Sequence, residues 1–355
     1  MRILIMAGGT GGHVFPALAV AEELKRHGVE VLWLGTRKGL EATIVARAGF
    51  AMSFISISGL RGKGALSWVL APSKLFVAFL QSLKLLMQLR PNAVLGMGGF
   101  VTGPGGFSAW LLDKPLLIHE QNAIAGLTNR LLAPIANKVL EAFPGSLPAK
   151  HKPIHTGNPV RAEIAALPAP DERMRARSGP LRLLVLGGSL GAQALNEVVP
   201  KAVQALGTDI EIWHQAGARN IDAALQHYQQ AGVRARVVPF ISDMAEAYGW
   251  ADLVLCRAGA LTIAELACAG VGALLVPYPH AVDDHQTHNA RYLADAGAAL
   301  VIAQTALTPA YLSDVLRELH QTRTRLLDMA RAARRCAQPQ AAATVAALCL
   351  EAAHV

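Results

Sequence analysis

Gly8, Gly9, Thr10, Gly11, Gly12 and His13 stand in one run between a short apolar segment, RILIM, and a stretch with helical patterning. A glycine run where a strand ends and a helix begins turns backbone N–H groups and the positive helix end towards one point, and phosphate is the natural guest there. The competing explanation is a tight turn whose glycines serve only close packing. Histidine is the side chain whose ordinary titration range suits a general base at neutral pH, so His13 at that mouth is a candidate, although a histidine there also caps or packs. A second run, Gly187, Gly188, Ser189, Leu190, Gly191 and Ala192, offers a hydroxyl beside the same kind of junction and suits a diphosphate. A third, Gly96 to Phe100 with Gly103, Gly105 and Gly106, follows another strand. Three such loops around one cleft would be unusual for packing alone.

Several cofactor chemistries fail on spacing. Val14 breaks the dinucleotide pattern GxGxxG, and the second strand ends in Leu34, Gly35 and Thr36 without an acid for a ribose. Neither turn has the GK[ST] of a nucleotide triphosphatase, and no DxD sequence occurs to hold a diphosphate through a metal, which leaves helix ends and arginine for that role.

Downstream, Ala258, Gly259, Ala260, Leu261, Thr262, Ile263, Ala264 and Glu265 form another strand-to-helix junction. Glu265 suits a ribose diol as a bidentate acceptor. Equally, Thr262 and Glu265 have the spacing of a capping box, which would occupy Glu265 in holding the helix end. The stretch His280 to Asn289 is dense in groups that bond sugar hydroxyls; its histidines and aspartates fit neither a zinc finger nor HExxH, so a metal is the weaker reading.

These residues need a scaffold. RILIM, VEVLWLG, FAMSFISI, NAVLGMGG, KPLLIHE and NKVLEAF are apolar runs of strand length alternating with helical segments, the mark of a doubly wound parallel sheet. Pro16 is placed in the first turn of the first helix, with Gly28 just past its end. Residues 157 to about 180 carry four prolines and a cluster of charges and read as a linker. After it RLLVLGGSLGAQALNEVV repeats the layout of RILIMAGGTGGHVFPALAV, and DIEIWHQAG, RARVVPF, ADLVLC, GALLVPYP and AALVIA continue a second doubly wound half. The fold class is therefore α/β, with two Rossmann-like domains at 1–160 and 161–337. The alanine-rich C-terminal helix, about 338–355, is a candidate to pack back on the first.

The bulk numbers fit. A chain of 355 residues exceeds one ordinary core, and 52% hydrophobic against 16% charged residues suits buried parallel strands. Four cysteines without close pairing suit reduced thiols. The net charge of +8 favours an anionic partner; with 5% aromatics and no basic run of five, nucleic acid ranks below a phosphorylated ligand or an acidic membrane. No stretch approaches the roughly 20 apolar residues of a span. Residues 61 to 90 mix Trp68, Leu70, Leu75, Phe76 and Phe79 with Arg61, Lys63, Lys74 and Lys84, as a membrane-touching surface would, or as a core helix with solvated lysines.

In order along the chain, GGTGGHVFPALAVAEEL, GMGGFVTGPGG, HEQNAIAGLTNRLLA, TGNPVR, GGSLGA, RAGALTIAEL and PYPHAVDDHQTHNA resemble the MurG family of bacterial peptidoglycan N-acetylglucosaminyltransferases over essentially the whole length. The resemblance implies a GT-B fold, two domains facing a central cleft, with UDP-N-acetylglucosamine held mainly by the C-terminal half and the acceptor by the N-terminal half. The family moves N-acetylglucosamine to the 4-hydroxyl of the N-acetylmuramyl-pentapeptide of undecaprenyl-diphosphate-linked lipid I, with inversion, to give lipid II, without metal or other cofactor, at the cytoplasmic membrane face. By motif, Thr10, Gly11 and Gly12 would approach donor sugar and diphosphate, Asn122 the sugar, Arg161 and Ser189 phosphate. Ile241 would border the uracil and Glu265 the ribose, with the run Ala260, Leu261, Thr262, Ile263 and Ala264 along the nucleotide. His285 and Gln286 would bind sugar hydroxyls, in a loop whose length varies among relatives. His13 is the expected base, with Glu120 as the alternative.

Overall fold

The computed structural model describes residues 1–57, 70–175, 177–188, 191–207 and 209–354. They divide into two compact units, Met1–Arg161 with Gln338–Val355, and Ala162–Ala337.

The first unit is built on a parallel sheet of β1 (Arg2–Met6), β2 (Glu30–Gly35), β3 (Ala51–Phe54), β4 (Ala93–Gly96), β5 (Leu116–Glu120), β6 (Lys138–Glu141) and β7 (Ile154–His155), in the order β3-β2-β1-β4-β5-β6-β7. Its central strands are apolar on both faces because helices cover both. Leu4 is registered between Leu32 and Val94 at the middle of the sheet. On one face Ile3, Ile5, Trp33 and Leu95 pack with Val20 and Leu24 of the helix Gly11–Arg26 and with Val345 and Cys349 of the last helix, Ala341–Ala353. On the other, Leu4, Met6 and Ile118 pack with Ala78, Leu86 and Ala109.

The second unit repeats the plan. Its parallel strands β8 (Leu181–Leu186), β9 (Ile210–Gln215), β10 (Arg236–Val238), β11 (Leu253–Cys256), β12 (Gly272–Leu275) and β13 (Ala299–Val301) run in the order β10-β9-β8-β11-β12-β13. Both sheets thus reverse direction beside their first strand, between β1 and β4 and between β8 and β11.

Three details depart from the sequence reading. The first helix begins at Gly11, so Pro16 lies inside it rather than in its first turn, and His13 joins that turn instead. The short strand β7 was not anticipated; two residues carry no periodicity. The segment read as a linker is folded from Ala162 onward: Arg173 donates to the carbonyls of Ala269 and Gly270 at 2.6 and 2.5 Å, and Arg334 to that of Leu167 at 3.0 Å, which ties Ala162–Ala165 and Pro170–Met174 into the second unit. For the helix Ala71–Leu89 the sequence left two readings open, and the structure shows a core-facing side and an outward apolar one. The helix buries Ala71, Ala78, Ser82 and Leu86 and turns Leu75, Phe76 (61% exposed), Val77, Leu80 and Met87 outward, with Lys74 and Lys84 also exposed. Phe79, Phe107 and Trp110 extend that apolar face, with ring centroids 5.5 and 5.2 Å apart. Arg61, Lys63 and Trp68 lie outside the described residues. Among those described, no helix is long and apolar enough to cross a membrane. The four cysteines form no disulfide, and burial pushes the Cys256 and Cys349 thiols up to about 12, far from reactive thiolate.

Candidate active site

Where neighbouring strands of an open α/β sheet send their connections to opposite faces, a crevice opens beyond their carboxyl ends, and ligands bind there. In the first unit this is the end of β1 and β4, the first and third glycine runs. Thr10 is the N-cap of the helix Gly11–Arg26, in extended conformation (φ −112°, ψ 160°); its carbonyl accepts from His13 N and Val14 N, its side chain makes no cap bond, and no acidic residue sits in the first turn. The positive helix end therefore keeps its field for a ligand.

Packing accounts for part of the glycine content. A Cβ on Gly99 would meet the Gly8 carbonyl oxygen at 2.1 Å, so the two runs touch backbone to backbone. Gly9 N donates at 3.2 Å to Glu41, a fully buried carboxylate that also accepts from Thr36 N (2.9 Å) and Thr36 Oγ1 (2.7 Å). That donor is spent inside the fold, stapling the turn to the loop after β2. Beside it a groove of about 800 Å³ is lined by Arg37, Lys38, Leu40, Phe54, Lys74 and Phe100 among others, cationic and apolar together.

His13 Nδ1 lies 2.9 Å from Gln121 Oε1; Gln121 Nε2 lies 3.1 Å from His119 Nδ1, and His119 Nε2 3.0 Å from the Gly157 carbonyl. Complete burial holds the His119 pKa down at about 4. Glu120 is buried and accepts from Asn122 N (2.9 Å), Asn122 Nδ2 (3.3 Å), Gly126 N (3.0 Å) and Asn129 Nδ2 (2.8 Å). Its oxygens clamp the 120–129 loop, which is a poor posture for taking a proton from substrate. Asn122 is drawn towards that carboxylate. Arg161 is half-buried, its guanidinium 5.8 Å from the Phe15 ring on the first helix.

In the second unit the crevice lies beyond β8 and β11. Gly191 (φ 78°) is obligatory, since a Cβ there would stand 2.2 Å from the Ala216 carbonyl oxygen; Ser189 lies outside the described residues. The helix Ala260–Ala269 starts on Gly259 as N-cap, with no side-chain cap bond and no acid in its first turn. Thr262 is thus the third helical residue, and the capping box does not form. Glu265 is 5% exposed and accepts from Tyr248 OH at 3.0 Å. Ile263 has a fully buried side chain, and its N–H bonds the Gly259 carbonyl at 3.0 Å. Ala260, Leu261, Thr262 and Ala264 share that helix mouth with Glu265, whereas Ile241, 4% exposed, follows β10. His285 and Gln286 open the helix His285–Ala294 behind two consecutive left-handed residues, Asp283 and Asp284 (φ 52° and 48°), a strained entry of the kind concentrated at ligand sites. Gln286 Oε1 accepts from Tyr278 N at 2.9 Å. Among the described residues no three His, Cys, Asp or Glu side chains gather as a metal-holding group.

Gln121, His119, Glu41 and Tyr248 went unnoticed in the sequence. Only the first two left a signal: in extended chain residues i and i+2 share a face, and Gln121, the first residue past β5, stands two after His119.

Two parallel α/β units, each with a glycine-lined helix mouth at its switch point, have the architecture of the GT-B glycosyltransferases. Residues 3–141 match the glycosyltransferase family 28 N-terminal domain, and 182–345 match its C-terminal domain. The chain is 56% identical over 353 residues (99% of this chain, 98% of the relative) to the UDP-N-acetylglucosamine--N-acetylmuramyl-(pentapeptide) pyrophosphoryl-undecaprenol N-acetylglucosamine transferase of Nitrosococcus oceani, and 54% identical over 355 residues (99% and 98%) to that of Marinobacter nauticus. The crystal structure of Acinetobacter baumannii MurG superposes with TM-score 0.85 at 43% identity, covering 99% of both chains. The chain belongs to glycosyltransferase family 28 and, within it, to the MurG family.

Proposed function

We propose that this chain transfers N-acetylglucosamine from UDP-N-acetylglucosamine, with inversion, to the 4-hydroxyl of the N-acetylmuramyl residue of lipid I, forming lipid II. The observation that carries this is full-length identity of 56% to a transferase of that name. The chemistry must stabilise negative charge growing on the departing diphosphate and remove a proton from the acceptor hydroxyl. In our reading the second unit holds the donor: Ile241 borders uracil, Glu265 takes the ribose diol, the Ala260–Thr262 turn meets the nucleotide, Ser189 is assigned to phosphate by its motif alone, and His285 and Gln286 meet sugar hydroxyls. Thr10, Gly11, Gly12 and Asn122 approach the donor sugar and diphosphate, and Arg161 adds fixed positive charge. Helix ends and arginine act here in place of a metal.

The first unit takes the acceptor. The groove beside the first glycine turn offers Arg37, Lys38 and Lys74 to a diphosphate and apolar walls to a prenyl chain. His13 is the base; Glu120, with donors on both oxygens, is the loop clamp instead. The outward apolar face of Ala71–Leu89 with its lysines suits an anionic inner-leaflet surface, so the enzyme works peripherally on the cytoplasmic face of the cell membrane and has no nucleic-acid partner.

Labelled UDP-N-acetylglucosamine with a lipid I analogue, with and without EDTA, tests this. Label should enter the lipid at equal rates in both. Transfer only to a soluble acceptor, or epimerisation without transfer, would refute it. His13→Ala should lose most kcat, a hundredfold or more on the scale of roughly 10²–10⁴ for a general base, yet still bind UDP; unchanged turnover would remove His13 from the mechanism.

A further inference from the structure

The hydrogen bonds that end on His13 have a direction, and that direction is set 108 residues away along the chain. A backbone carbonyl can only accept. The Gly157 carbonyl lies 3.0 Å from His119 Nε2, so that nitrogen carries the proton. His119 is fully buried with no carboxylate partner among its hydrogen bonds, and an apolar interior keeps the ring neutral; its Nδ1 is therefore a lone pair. A lone pair requires a donor, which orients the Gln121 side chain with its NH₂ towards His119. A second carbonyl requires the same: Gln121 Nε2 also lies 3.1 Å from His119 O. Asn158 Nδ2 bonds the Gln121 carbonyl at 3.1 Å and holds the backbone in place. Gln121, 1% exposed, cannot turn its amide over without setting Oε1 against two acceptors, His119 Nδ1 and the His119 carbonyl.

We infer that Gln121 is a positioning residue for the reaction: its Oε1 accepts from His13 Nδ1–H and thereby leaves the His13 lone pair on Nε2, the nitrogen that meets the acceptor hydroxyl. Gln121 does the orienting that a carboxylate does in hydrolase triads, with one difference. A neutral amide fixes the tautomer without adding negative charge beside the ring. The proton moves from the hydroxyl oxygen to Nε2 as that oxygen bonds to the anomeric carbon and the bond from that carbon to the diphosphate breaks, with its electron pair leaving on UDP. His13 is then an imidazolium with Nδ1–H still donated to Gln121, so the hydrogen bond persists and strengthens with the charge.

The catalytic half of this inference rests on His13 being the base; the tautomer does not, and the test separates them. Two-bond ¹⁵N–¹H correlation spectra of ¹⁵N-histidine-labelled full-length protein at a pH where His13 is neutral report which ring nitrogen bears the proton. We expect Nδ1–H for His13 and Nε2–H for His119. Gln121→Met, of similar length but without the amide, should release His13 into a mixture of tautomers and lower kcat about tenfold or more while KM for UDP-N-acetylglucosamine stays near its original value. His13 as Nε2–H in the unaltered protein overturns the inference whatever the variant does. A single Nδ1–H form persisting in Gln121→Met does so too, and so does a Gln121→Met enzyme that moves KM alone. If the spectra are as expected but His13→Ala keeps its kcat, it is the base assignment that fails.

Discussion

Gly98→Ala is the sharpest perturbation of this site that leaves every polar group in place. Gly98 sits at φ 86°, and a Cβ there would lie 2.8 Å from His13 Nδ1 and 3.2 Å from Gln121 Oε1. Ordinary contact begins near 3.4 Å, so the ring must retreat by about 0.6 Å (3.4 − 2.8), or the loop must yield. A shift of about 1 Å in a reacting group costs on the order of a hundredfold in rate, so about 0.6 Å should cost ten- to a hundredfold in kcat. Positive φ adds roughly 1–2 kcal/mol of backbone strain for any non-glycine residue. Gly28→Ala supplies the control, since Gly28 has φ 73° but nothing within 4 Å of an added Cβ. Both variants should melt earlier by similar amounts, and only Gly98→Ala should be slow in initial-rate assays with the lipid I analogue. A Gly98→Ala enzyme with the kcat of Gly28→Ala would show that the position of the His13 ring does not govern the rate.

Other consequences concern stability and surface. Asp252 is buried between Arg177 at 2.6 Å and Arg323 at 3.2 Å, so Asp252→Ala strands two cations and should destabilise the second unit by about 3 kcal/mol, read from urea or thermal unfolding; a change within the scatter of surface substitutions would refute that. Burial lowers His119 from 6.5 to about 4 and His214 to about 3. In the unfolded chain these rings bind protons first, so their contribution is complete above about pH 6.5 and drains away as pH falls through the folded values, about 3 kcal/mol for His119. Unfolding curves at successive pH values should show this decline, and His119→Asn should flatten it between pH 6.5 and about 4. An equal slope in both proteins would contradict the assignment. Lys74→Glu with Lys84→Glu should weaken sedimentation with anionic vesicles by about 1 kcal/mol or more per reversed charge, while neutral vesicles discriminate little; identical binding would take the Ala71–Leu89 face away from the membrane.

Much of this was legible in the chain itself. The runs Ile3–Met6 and Leu183–Leu186 are apolar at every position, and a strand of that kind survives only between two helical layers, so parallel doubly wound sheets followed from composition and alternation. The glycines at 8–12 and 187–191 marked the strand-to-helix junctions because glycine is demanded wherever backbone approaches backbone or φ turns positive. The missing lysine of GK[ST] and the broken GxGxxG excluded other nucleotide chemistries without any coordinates.

What the tertiary structure alone decided is partnership. The sequence located an apolar and basic segment at residues 61 to 90, but whether its apolar residues meet a core or solvent depends on which neighbour the fold supplies, and among the described residues Phe76 and Leu80 stay largely exposed. Glu265 had a capping partner by spacing and a Tyr248 partner in fact, because the helix begins at Ala260 on a glycine cap. His13 and Gln121 are brought to 2.9 Å because β1 and β5 flank β4 in the sheet. Local sequence sets dihedrals and the face that must be buried; strand order sets which distant side chains share a crevice, and the direction of a hydrogen bond exists only once they do.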